Sequence, residues 1–168
     1  MTFSRFAKFI VPVAALGVLA ACGGETASED APTVAAADEP AVLKERHDNF
    51  ESIGDAFKAI RGQLEGGSPD FGVIAASASD INTRAQMIES HFPEGTGRDQ
   101  GYDTEALPTI WEKPEEFSAA AKKLIEESAA LAAMAGEPGA NAAAIGEQVK
   151  AMGGACKNCH DTFRLDDD

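Results

Sequence analysis

Apolar residues recur at intervals of three or four along four stretches of the chain, at residues 42–64, 71–92, 114–131 and 145–163. Spacing of this kind places side chains on one face of an α-helix. In the first stretch that face is formed by Val42, Arg46, Phe50, Ile53, Phe57, Ile60 and Leu64. The pattern therefore predicts four amphipathic helices.

The connections between these stretches differ in length. Residues 66–69 and 136–139 are short breakers rich in Gly and Pro, whereas residues 93–114 form a long irregular connection that contains Pro108 and several glycines. Short connections make successive helices antiparallel, so we expect an all-α fold, an antiparallel four-helix bundle. A helical array without bundle geometry is the alternative.

The first residues of the chain follow a different pattern. Arg5 and Lys8 precede a 13-residue apolar run at residues 9–21. That run is too short for the ~30 Å hydrocarbon core of a bilayer and is typical of a signal peptide. It ends in LAACG, which resembles the lipobox of bacterial lipoproteins, so we expect residues 1–21 to be removed and Cys22 to carry acyl chains. The alternative is an ordinary signal peptide with Cys22 as an incidental thiol.

The segment that follows has the composition of a solvated linker. Residues 22–40 are rich in Gly, Ala, Pro, Ser and acids and have no periodic apolar face. We expect them to form a lipid-anchored tether, with residues 41–168 as the bundle domain. The predicted location is the periplasmic side of a bacterial envelope. The outer membrane is favoured because Gly23, rather than Asp, follows the cysteine.

The charge of the chain limits its partners. It has 28 acidic and 14 basic side chains and a formal charge of −14, and its longest basic run is Lys122–Lys123. Loss of residues 1–21 removes two basic residues and no acidic one, which takes the charge from −14 to −16. A protein that binds nucleic acid needs clustered Lys and Arg, so a nucleic-acid partner is not expected.

The most informative motif is CKNCH at residues 156–160. C-x-x-C-H is the attachment signature of c-type haem, in which two thiols bond to the porphyrin vinyl groups and the imidazole binds the iron. We therefore expect thioethers at Cys156 and Cys159 and an axial iron ligand at His160. Cys156 and His160 are four residues apart and share a helix face.

Two other chemistries use similar residues. A thioredoxin-like C-x-x-C lies where a strand meets a helix, and no strand is predicted before residue 156. A zinc site would need a fourth ligand, for which the candidates His47 and His91 are distant in sequence. Export favours haem, because covalent haem attachment takes place outside the cytoplasmic membrane.

Residues 42–165 closely resemble the cytochrome c′ family, the class II cytochromes c. Their C-x-x-C-H lies near the C-terminus, as here, and cytochrome c′ is itself a standard example of the four-helix bundle. CKNCHDTFR is similar to the terminal signature of that family. PEGTG and the later ALPTIWEKPEEF, which includes Trp111, resemble its loop between the second and third helices. A frequent family Trp before this loop is replaced by residues 90–92, which puts only local packing in question.

The resemblance implies roles for further residues around one covalent haem c, bound near the C-terminal helix. Arg46 matches the arginine near the haem propionates, His47 stands where Gln is common, and Phe50 matches the position that covers the distal face. Three more residues are implied in the haem pocket, with Arg164 on its proximal side: Thr104, Glu105 and Arg164.

The sixth iron position decides the expected function. Relatives with a six-coordinate haem supply a Met near the position of Phe50, and none is present there. Phe50 offers no lone pair and excludes water and anions, so we expect a five-coordinate, high-spin iron that binds NO and CO and could buffer NO. The alternative is an electron-transfer cytochrome with His47 as sixth ligand. An enzyme acting on NO or peroxide would need a polar distal group, which Phe50 does not supply.

One expectation concerns association with a second copy of the chain. Members of the family commonly pair through their first two helices, and Ala59, Ala75 and Ala76 are small enough for close approach, so a homodimer through those helices is predicted. The redox partner is not indicated by the sequence.

Overall fold

A computed structural model describes residues 39–165, and the structural statements below concern that range. Five helices follow one another, of which α3 is a single turn: α1 (Ala41–Glu65), α2 (Phe71–Ala85), α3 (Thr109–Glu112), α4 (Pro114–Gly136) and α5 (Ala142–Phe163). Between residues 39 and 165 β-pairing is limited to one isolated bridge between Ala106 and Arg164. The predicted all-α four-helix bundle is confirmed.

Local sequence signals explain where the helices begin. The Asp70 carboxylate accepts hydrogen bonds from the backbone N–H groups of Gly72 and Val73 and caps α2. The Asn141 side chain caps α5 in the same way. Such caps satisfy N–H groups that have no partner within the helix. Pro114 lies in the first turn of α4, where a missing N–H costs nothing.

The second helix is shorter than the sequence pattern predicts. The apolar stripe extends to Phe92, but α2 ends at Ala85. Beyond it the backbone tightens, because the N–H of Met87 bonds to the carbonyl of Arg84 and the N–H of Ile88 bonds to that of Ala85. These bonds span three residues, so Ile88 remains buried although the α-helix has ended.

The core lies along the axis of the bundle. The largest fully buried side chains come from all four long helices: Ile60, Ile74, Ile81, Leu131, Ile145, Met152 and Ser128. The Ser128 hydroxyl is satisfied there, since it donates to the carbonyl of Leu124 and accepts from the amide of Asn82. α1 packs on α2, α2 on α4 and α4 on α5, whereas α1 and α5 touch little. The seam between α1 and α5 is therefore the open side of the bundle.

The loop between α2 and α4 depends on a glycine. Gly97 is buried, and a Cβ built on it would lie 2.6 Å from Cζ3 of Trp111 and 2.5 Å from Oδ1 of Asp99. The indole is fixed there because its Nε1 donates to the carbonyl of Phe92 at 3.1 Å. The close approach explains why a residue without a side chain lies at position 97.

Gly97→Ala is expected to lower the free energy of unfolding by about 1–3 kcal/mol, because the added methyl group overpacks the Trp111 contact. Urea unfolding followed by circular dichroism measures this change. Gly136→Ala is the matched control, since a Cβ there meets nothing within 4 Å. Equal stability of Gly97→Ala and wild type would contradict this role.

Several sequence predictions lie outside the described residues. These are the signal peptide, acylation at Cys22 and most of the tether. Between residues 39 and 165, no helix is long and apolar enough to cross a bilayer.

Candidate haem site

The open seam between α1 and α5 contains a cavity of about 1030 Å³. α1, α4, α5 and the loop that follows α2 all contribute to its walls. The buried residues of the wall are mostly apolar and include Ile53, Phe117 and Leu124, whereas the exposed residues are mostly charged and include Lys44, Asp103 and Glu105. The cavity therefore has an apolar interior and a charged mouth.

The C-terminal part of α5 brings the residues of the C-x-x-C-H motif to this cavity. Cys156, Cys159 and His160 all line it, and all three are half-buried. Neither cysteine forms a disulfide among the described residues. Before any bond to haem forms, burial raises the pKa of the Cys156 thiol and raises the pKa of the Cys159 thiol to about 11.

α1 supplies the second set of predicted residues. Arg46, His47 and Phe50 line the same cavity, but they differ in exposure: Arg46 is buried, Phe50 is half-buried and His47 is exposed. The Phe50 ring contacts Phe92 edge to face, with the ring centroids 6.2 Å apart. Phe50 is therefore part of the cavity wall, whereas His47 lies at its rim.

Arg46 is a buried cation held by neutral groups. Its Nε donates to the carbonyl of His91, Nη1 to the carbonyl of Thr96 and to Thr104 Oγ1, and Nη2 to Thr96 Oγ1. Its Cζ lies 4.1 Å from the centroid of the Phe92 ring. Burial lowers the pKa of Arg46 to about 10, because no charge compensates the loss of hydration. An acidic group in the cavity would be complementary to this guanidinium.

Thr104 and Glu105 also line the cavity, and each binds one of the predicted arginines. Thr104 accepts from Arg46 at 3.2 Å, and Glu105 forms an ion pair of 2.6 Å with Arg164. The backbone adds to the second contact, because the N–H of Leu165 donates to the carbonyl of Glu105 at 2.9 Å. The exposed ion pair contributes little stability by itself. It ties the end of α5 to the loop beside the cavity.

Two residues of the site were missed at the level of sequence. Thr96 supplies two of the four acceptors for Arg46, and Phe92 packs against Arg46, Phe50 and Phe117. Residues 90–92 were interpreted as local packing only, and this interpretation is too narrow for Phe92, which lines the cavity. The PEGTG sequence was the available signal for Thr96.

A haem fits this arrangement. Ligand cavities in proteins commonly measure about 300–1,000 Å³, so the volume of about 1030 Å³ suits a large planar group. The interior is apolar, and the buried Arg46 has only neutral hydrogen-bond acceptors, which leaves its charge available to a carboxylate. Between residues 39 and 165, no group of three or more His, Cys, Asp or Glu residues could hold a metal ion alone.

A bundle whose last helix presents C-x-x-C-H to an apolar cavity defines a class of protein, the c-type haem proteins with a four-helix fold. A sequence model of the family described as Cytochrome C′ matches residues 41–164. The chain therefore belongs to the cytochrome c′ family, whose members carry one covalently bound haem c.

Known members are similar along most of the chain. A cytochrome c′ of Rhodospirillum rubrum is 36% identical over 138 residues, which are 80% of this chain and 89% of the relative. A cytochrome c′ of Pararhodospirillum photometricum is 34% identical over 124 residues, covering 74% and 96%. The solved structure of a cytochrome c′ from Rhodobacter sphaeroides has a TM-score of 0.69 at 30% identity and covers 77% of this chain and 99% of that chain.

Proposed function

We propose that this protein is a periplasmic haem c protein with an open sixth iron position, which binds NO and CO and buffers NO. In this proposal Cys156 and Cys159 would hold the haem through thioethers and His160 would bind its iron. The haem supplies the iron at which the gas binds. The chain supplies the pocket that positions the haem and decides which ligands enter.

The observation that carries the proposal is the α1 wall of the cavity. From Phe50 to Phe57 this wall consists of apolar residues and a glycine, apart from the exposed Glu51. Among the described residues that line the cavity, none is a methionine. A phenyl ring donates no electron pair to iron and offers no hydrogen bond to water or anions. Such a wall favours small neutral ligands over water, hydroxide and anions.

Arg46 has a supporting role in this proposal. Its buried guanidinium lacks an acidic partner among the described residues, and a haem propionate would compensate its charge. Thr96 and Thr104 fix the guanidinium from the protein side. These contacts would set the orientation of the haem before any gas binds.

An electron-transfer cytochrome is the second candidate, and His47 is the observation that favours it. His47 lines the cavity and carries nitrogen donors, so its coordination would close the sixth position and give a low-spin iron. Its exposure argues for the first candidate, because the ring lies at the rim of the cavity.

The spin state of the resting ferric protein distinguishes the two candidates. We expect high-spin haem in the wild type, measured by electron paramagnetic resonance and absorption spectroscopy at neutral pH. His47→Ala should leave that spectrum unchanged. A low-spin wild type that becomes high-spin in His47→Ala would make His47 the sixth ligand and establish the second candidate.

The anchor and the dimer stay proposals. Acylation of Cys22 would hold the domain at the outer membrane, and the mass of the mature N-terminus tests it.

A homodimer would use the outer surface of α1 and α2, where Ala59 and Ala76 are exposed and Val73 adds an exposed apolar side chain. The high negative charge opposes such association unless the contact is largely apolar.

A further inference from the structure

The seam between α1 and α5 contains a second, smaller space. It is a groove of about 370 Å³ between the C-terminal half of α1 and the N-terminal half of α5. Its lining residues are Phe57, Arg61, Leu64, Glu65, Gly146, Val149, Lys150 and Gly153. Because two of these residues are glycines on the same helix, the groove extends to the backbone of α5.

Phe57 lines both the groove and the haem cavity, and it is the one residue that the two linings share. Its ring is half-buried, although it lies in the middle of α1. On the α5 side the ring lies against backbone, since a Cβ built at Gly153 would be 3.3 Å from Cζ of Phe57. On its own helix Gly54, one turn earlier, lines the haem cavity and leaves open space where a side chain would be. No side chain at position 54 therefore restrains the ring on that side.

The charges at the groove are compensated. Arg61 pairs with Glu65 at 3.3 Å, and Lys150 pairs with Glu147 at 2.7 Å. The remaining lining consists of Phe57, Leu64, Val149 and glycine backbone. The groove therefore offers an anion no unpaired cation, and it offers water little to bind. The mouth of the haem cavity differs, because Arg98 lines it without an acidic partner among the described residues.

We propose that this groove is an access path by which small neutral gases reach the haem cavity, and that the ring of Phe57 is its gate. The proposal rests on the proposed gas-binding function. A diatomic gas loses almost no hydration on entering an apolar groove, whereas an anion loses much. Movement of one phenyl ring then admits the gas. The polar mouth stays available for the propionate edge of the haem.

Two variants of the gate test this path through the rate at which CO binds the ferrous haem after flash photolysis. Phe57→Ala removes the ring and should raise the association rate threefold or more. Gly153→Ala adds a methyl group that presses on the ring, and it should lower the rate by a similar factor. If Phe57→Ala does not fold, Gly153→Ala still tests the path. Alanine favours a helix more than glycine does, so this variant is expected to fold.

Gly154→Ala is the matched control. It makes the same substitution in the same helix, but residue 154 is exposed, lines neither space and has nothing within 4 Å of its added Cβ. Its CO association rate should equal that of the wild type.

Xenon supplies a readout independent of the haem, because it enters dry apolar cavities. Crystals of the holoprotein under xenon pressure should show a xenon atom in the groove beside Phe57.

The outcomes separate this path from the proposed function. A ferrous wild type that binds no CO would overturn both. Normal CO binding by the wild type, with the same rate in Phe57→Ala, Gly153→Ala and Gly154→Ala, would overturn the path alone. Xenon that is absent from the groove would also contradict the path.

Discussion

Replacing Cys156 and Cys159 together by alanine is expected to abolish covalent haem attachment. The two thiols are the groups of the C-x-x-C-H motif that bond to the porphyrin, and both line the cavity with His160. The intact mass of the exported wild type should exceed that of its mature polypeptide, counted with any acyl groups at Cys22, by one haem. In the double variant this excess should be lost, together with haem staining on a denaturing gel.

The third cysteine of the chain provides the control. Cys22→Ser should retain the covalent haem, because residue 22 belongs to the predicted tether rather than to the motif. Haem that extracts into acid acetone from the native wild type would contradict the assignment of the thioethers.

Phe50→Ala is expected to raise the CO association rate of the ferrous protein about tenfold or more. If Phe50 covers the iron as proposed, an incoming ligand must displace a ring that packs edge to face on Phe92. Displacement of this kind costs about 1–3 kcal/mol by analogy with overpacked cores, and each ~1.4 kcal/mol of barrier is one decade in rate. Stopped-flow mixing with CO measures the change. The smaller side chain would also admit water as a sixth ligand in the ferric state.

Phe71→Ala is the matched control for this variant. Phe71 is a half-buried phenylalanine at the start of α2 and does not line the cavity, so its replacement should leave the CO rate unchanged. An unchanged rate in Phe50→Ala, with a high-spin wild type, would mean that another side chain covers the iron. The assignment of Phe50 from the family resemblance would then be wrong.

Sequence reasoning was sufficient where periodicity and chemistry are local. The three-and-four spacing predicted the four long helices, and the C-x-x-C-H motif named three residues that the structure places at one cavity. It failed at the end of α2, because the apolar stripe at Ile88 continues through turns that no longer form an α-helix. The spacing of apolar residues indicates which face of a segment is buried. It does not show whether the backbone of that segment forms α-helical hydrogen bonds or tighter ones that span three residues.

The remaining features depend on contacts between distant segments. Thr96 and Phe92 lie in an aperiodic loop, and their roles follow from packing against Arg46 about fifty residues earlier. The groove between α1 and α5 also depends on contacts between segments that are distant in sequence. Phe57 fits the apolar stripe of α1, and that stripe alone does not distinguish it from its neighbours. Only the position of Gly153 on α5 shows that its ring borders two spaces.

The absorption spectrum of the dithionite-reduced wild type, recorded with and without CO, tests the central claim most directly. An iron with an open sixth position gives a five-coordinate, high-spin ferrous spectrum that converts completely to a six-coordinate CO complex at neutral pH. A low-spin ferrous spectrum that CO leaves unchanged would contradict the claim, because it would show that a side chain of the protein already occupies the sixth position.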